Sequence, residues 1–174
     1  MTASTVKSAD ITGFDTVPVT LKAGANQGNK LRVYTTTIEA ATTSLDEAND
    51  VILMTRIPSK LRITSCKIFN DDLDAHATPT LAADVGLFNG ITEVVKDADA
   101  LASAITTLQA ANTAGVEILF EAHDIADLGK TAWELAGYTS DPGVDLIVGL
   151  TVTTQAATAA AGTISLKIEG SLDN

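Results

Sequence analysis

The sequence predicts a mainly β protein: a jelly-roll-like antiparallel β-sandwich with short helical insertions and an extended N-terminal arm. Three observations carry this. Hydrophobic residues make up 45% of the chain but aromatic ones only 4%, so the interior is built from small apolar and β-branched side chains, which suit pleated sheets. Short alternating stretches recur, with turn residues between them. A length of 174 residues suffices for one domain with its own core. Many short strands over that length fit a two-sheet sandwich or jelly roll, with an open barrel as the alternative.

Residues 1–30 read as the arm. "LKAGANQGNK" is turn chemistry, and "FDTVPVTL" places Phe14, Val17, Val19 and Leu21 around Pro18. Proline removes a ladder donor, so that stretch suits an edge strand or an extended segment lying on the domain or on a neighbouring subunit. Residues 31–174 then form the sandwich. "KLRVYTTTIEAATTSL" is β-prone, with Leu31, Val33, Thr35 and Thr37 on one face, and the acidic Asp46–Asp50 stretch is a solvated turn. Val51–Ile57 is a short strand ended by Pro58-Ser59-Lys60. In Leu61–Phe69 the apolar parity switches between Ile63 and Cys66, which predicts a bulge near Ser65 or a strand buried on both faces. A strand through Leu81, Val85 and Leu87 closes at Asn89-Gly90, a hairpin-grade turn.

The middle of the chain reads differently. Leu101, Ile105 and Leu108 stand at helical spacing behind Asp97 or Asp99 as N-cap candidates, so a helix is expected there. "VEILFEA" resumes strand character, and Thr131–Ala136 is a short helix with Gly137 at its C-terminal end. Leu146–Thr154 and Thr163–Leu172 read as two strands closing a hairpin, the second alternating Ile164, Leu166 and Ile168 with polar residues.

Composition excludes several function classes. A formal net charge of −11 and a pI near 4.3, with no concentrated basic patch, argue against direct nucleic-acid binding. No apolar run reaches 18 residues, so no membrane span is expected. The start of the sequence lacks an apolar core of signal-peptide length, so synthesis in a cytoplasm is expected. Cys66, the single cysteine, rules out an internal disulfide and reads as a buried small hydrophobe.

Chemistry-bearing clusters are few. "NDDLD" at Asn70–Asp74, with Asp84 downstream, is the best candidate for a hard-cation site. The EF-hand pattern fails: counted from Asp71, the sixth residue is His76 where Gly is required and the twelfth is Ala82 where Glu is required. A strand end followed by an Asx-type turn accounts for the same residues. His76 and His123 fit no zinc or triad spacing and are expected at the surface. No glycine pattern makes a phosphate cradle. Trp133 is expected to anchor its helix onto a sheet. Arg56, Lys60, Arg62 and Lys67 gather within a short stretch and either face an acidic neighbour or form ordinary solvated strand faces. No catalytic residue, cofactor site or metal site is expected.

"IPSKLRITSCKIFNDDLD…TLAADVGLFNG", "DADALASAI", "GKTAWELAGYTSDPGVDLIVGLTV" and "AAGTISLKIEGSLD" together resemble small virion structural proteins of tailed bacteriophages, nearest the head-decoration or cement proteins of marine and cyanobacterial phages. The resemblance spans residues 50–172 and rests on the order and flavour of segments. It implies a jelly-roll body on the outer surface of a capsid, self-associated as a homotrimer, bridging subunits of the major capsid protein and gripping neighbours with its arm. The contacts expected for that role lie at Phe14, Val17, Val19 and Leu21 of the arm and at Arg56 and Arg62. A second reading is a carbohydrate- or receptor-binding module of a tail, fibre or baseplate, using the Asp71–His76 loop and Trp133.

Overall fold

Eight segments are strands in the computed structural model, which describes residues 30–172. They are β1 (Lys30–Ala40), β2 (Val51–Ile57), β3 (Leu61–Asn70), β4 (Ala82–Asn89), β5 (Val95–Ile105), β6 (Asn112–Glu117), β7 (Leu146–Thr154) and β8 (Gly162–Leu172). They form two four-stranded sheets, ordered β1-β8-β3-β6 and β2-β7-β4-β5, with every pair antiparallel. That interleaved order is a jelly roll, so the expected fold class holds. The expected arm, with Phe14, Val17, Val19 and Leu21, lies outside the described residues.

The core lies between the sheets. Ile164, Leu166 and Ile168 of β8 and Leu61, Ile63, Cys66 and Ile68 of β3 face Val148, Leu150 and Val152 of β7 and Val85 and Leu87 of β4. The parity switch in β3 is a bulge: its register against β8 slips between Ile63 and Ser65. It lets Ile63 and Cys66, three residues apart, both turn inward. At the open side of the sandwich the edge strands β1 and β2 are joined by Thr36, whose hydroxyl donates to the Met54 carbonyl at 3.0 Å.

Besides "VEILFEA", whose strand ends at Glu117 before a 3-10 turn at Leu119–Glu121, two expectations are corrected. Residues 95–105 are strand β5 rather than helix. A spacing of four keeps Leu101 and Ile105 on one face in either conformation. Leu108 belongs to a separate 3-10 turn, Thr107–Gln109. Pairing with β4 overrides the helix propensity of the alanines, at the cost of an irregular register and a left-handed Ala104 (φ 49°). Second, β7 and β8 close no hairpin, since β7 pairs with β2 and β4 while β8 pairs with β1 and β3. Their connection crosses from one sheet to the other.

The short helix falls where the sequence placed it. Helix α1 (Ala132–Leu135) starts at Thr131, whose backbone N–H and hydroxyl both donate to the Glu134 carboxylate at 2.7 Å. These bonds hold the Glu134 carboxyl below its ordinary pKa. Gly137 follows in the left-handed region (φ 73°).

Gly86 and Gly149 are directly paired across β4 and β7. A Cβ on Gly86 would stand 2.2 Å from the Asp97 carbonyl oxygen, and one on Gly149 would stand 2.9 Å from the Phe88 ring. A Cβ on Gly129 would meet nothing within 4 Å. Gly86→Ala should therefore lower stability by about 1–3 kcal/mol or more, because rigid backbone must move. Gly129→Ala should be neutral or stabilising by up to about 1 kcal/mol through the unfolded chain. Urea unfolding midpoints of the two variants measure the contrast.

Candidate interaction surface

The acidic knot is a structural clamp. Asp74 is 1% exposed, and its carboxylate accepts four backbone N–H groups: Thr80 at 2.7 Å, Leu81 and Ala157 at 3.0 Å, and Thr158 at 2.8 Å. The first two donors lie in the β3–β4 connection and the other two in the β7–β8 connection, so one side chain ties both crossovers. Burial pushes the Asp74 carboxyl up, but the four donors outweigh it and hold the pKa at about 2. Asp72 accepts from the Asp74 N–H at 3.2 Å, the Asx-type turn the sequence suggested. Asp71 caps Thr163 through its N–H and hydroxyl, both at 2.8 Å, which lowers its pKa. Asp84 turns away to accept from the Ala104 N–H at 2.7 Å. Among the described residues no group of three or more His, Cys, Asp and Glu is placed to hold a metal ion.

Cys66 is fully buried, and burial together with the nearby Glu117 carboxylate pushes its thiol up to about 12. Glu117 accepts from the Cys66 N–H at 2.7 Å. His76 is exposed and bonds Thr78. His123 departs from expectation: its side chain is 12% exposed, with Nε2 against the Ala100 carbonyl and Nδ1 3.6 Å from Asp127. It joins the 3-10 segments to β5. The Trp133 side chain is half-buried against the core and so anchors α1 as expected, while its backbone N–H donates to the Ser59 carbonyl at 3.0 Å.

The fold separates the four clustered bases. Arg56 is exposed on β2 in one sheet, whereas Arg62 and Lys67 lie on β3 in the other. Lys60 sits 3.7 Å from Asp141. Arg62 donates to the Gly129 carbonyl and so braces the segment before α1. No shared basic patch results.

The outer faces of the two sheets differ in chemistry. On the β1-β8-β3-β6 sheet, register sets Thr37 opposite Ser165, Thr35 opposite Lys167 and Val33 opposite Glu169, with Lys67 on the far side of Lys167. That face is mostly polar, as a solvated sheet face should be. The outer face of the β2-β7-β4-β5 sheet carries Val51, Leu53, Phe88 and Ile147. Phe88 and Ile147 are buried, yet they lie apart from the inter-sheet core. Two hollows open there. One, of about 430 Å³, has Phe88, Val51, Val95 and Ala98 among its lining residues. The other, of about 370 Å³, is lined by residues that include Leu53, Ile147, Arg56 and Glu93. Glu93 borders both hollows and is held in the left-handed region (φ 57°), a conformation that costs about 1 kcal/mol outside glycine. The sequence reading missed this face. The signal was present: Val51–Met54 and Leu146–Leu150 are apolar at both parities, the mark of strands covered on both sides.

No family model matches the chain, and no curated protein matches it. Its fold is shared with solved structures. A chain of the Cyanophage Pam1 capsid asymmetric unit superposes with a TM-score of 0.59 at 21% identity, covering 88% of this chain and 92% of that one. A chain of the capsid of Ralstonia phage GP4 gives a TM-score of 0.62 at 20% identity, with the same coverage of 88% and 92%.

The depressed pKa of Asp74 has a direct consequence. Its folded value lies below the unfolded one, so the clamp contributes fully above about pH 4 and is lost as pH falls through about 2. With solvent screening allowed for, the contribution is about 1–2 kcal/mol. Asp74→Asn should lower the melting temperature at pH 7, and the gap from wild type should close as the pH approaches 2. Melting curves of both proteins across that range measure it.

Proposed function

We propose that this chain is a capsid decoration protein: it binds the outer surface of a phage head and stabilises the shell by bridging coat subunits. The observation that carries this is the jelly-roll fold shared over 88% of the chain with chains of two phage capsid structures, in a molecule whose Asn70–Asp74 acids are engaged as structural caps. The order of sequence segments, which resembles phage head-decoration proteins, points the same way.

The physical mechanism is linkage. A protein that binds only the assembled shell stabilises it at every occupied site, and a shell offers many equivalent sites. Repetition over a symmetric lattice lets modest contacts add through avidity. The net charge of −11 suits a position outside the shell, separated from packaged nucleic acid. The apolar residues Phe14, Val17, Val19 and Leu21 ahead of β1 serve as contacts to the coat, with the body held as a homo-oligomer, a trimer at symmetry axes in this reading.

Shells assembled without this chain should rupture at a lower temperature than decorated shells, and adding the purified protein back should restore the difference. Rupture followed by dye access to the packaged nucleic acid measures it. Equal rupture temperatures with and without bound protein would overturn the decoration role.

A further inference from the structure

We infer that the outer face of the β2-β7-β4-β5 sheet is a self-association face, on which the β4–β5 turn of one copy seats in the apolar hollow of another. The face carries both halves of such a contact. The hollow of about 430 Å³ has Phe88 in its lining, with Val51 and Val95 beside it 48% and 45% exposed. The knobs are Ile91 and Val94 on the adjoining turn, 72% and 58% exposed. Exposed apolar groups gathered with a hollow of matching chemistry mark an interaction site.

The occupant is identified by charge. Arg56 and Glu93 line the same neighbouring hollow, and among the described residues neither side chain has a hydrogen bond or ion pair. A second copy brings Glu93 to Arg56 and Arg56 to Glu93, so both charges are paired when the face is covered. Two molecules of net charge −11 repel over most of their surfaces, and a face holding one acid and one base offers a balanced approach.

The inference does not depend on any role in a virion, because the purified full-length chain tests it alone. Light scattering should give the wild-type chain a mass that is a multiple of 18.0 kDa. Arg56→Glu and Glu93→Arg should each reduce the mass to that of a single chain, and the double variant should restore assembly. Ile91→Ser should also dissociate it, and circular dichroism of each variant verifies folding. Residue 91 is 72% exposed in the isolated chain, so that variant remains informative should a charge reversal disturb the fold. A single-chain mass for wild type at all concentrations overturns the inference, as does assembly unaffected by every variant. A double variant that stays apart overturns the Arg56–Glu93 pairing. Shell binding is a separate readout: variants that dissociate in solution yet still bind shells would leave the decoration reading intact.

Discussion

The Asp74 carboxylate holds together the part of the topology that is hardest to close. Only the β4–β5 connection stays within one sheet; every other connection carries the chain across the sandwich. Each crossing leaves backbone N–H groups that no ladder can satisfy, and a buried N–H without an acceptor is costly. Two crossings, β3 to β4 and β7 to β8, meet at the same end and direct four of those groups at one buried side chain. The bridge between Asp74 and Ala159 and the bond from the Ala160 N–H to the Leu73 carbonyl at 3.1 Å stitch the same loops together. Once both loops are anchored, the strands that follow enter opposite sheets with their apolar faces already turned inward.

Local pattern made much of this legible. Strict alternation in β8, the Pro58 stop between β2 and β3, the parity switch near Ser65 and the Gly137 helix end all report geometry that neighbouring residues impose on one another. Sheet membership was not legible. A loose Ala/Thr/Gly connection between β7 and β8 has the same composition whether it turns back beside its own strand or crosses to the other sheet. The role of Asp74 was hidden for a related reason. Asp71, Asp72 and Asp74 look alike in sequence, and what singles out Asp74 is burial by donors up to 84 residues away. The β5 region misled because four-residue spacing serves both a helix face and a strand face.

The contrast between the sheets gives the molecule a direction. One outer face shows threonine, serine and paired charges to water, while the other holds Phe88 and Ile147 under a rim of exposed valines. The glycine pair at positions 86 and 149 makes that second face possible. With no side chains there, the Phe88 ring lies over the sheet and the β5 backbone closes against β4. Surface chemistry and strand pairing are thus coupled at the same two residues.

Cys66 sits at the centre of this arrangement with no exposed surface, and it is the single sulfhydryl the chain possesses. Oxidants cannot reach it while the sandwich stays closed, so no disulfide through Cys66 can form between folded copies. Contacts between folded copies therefore gain nothing from a cross-link at this thiol, and a reducing agent should leave any such contact unchanged.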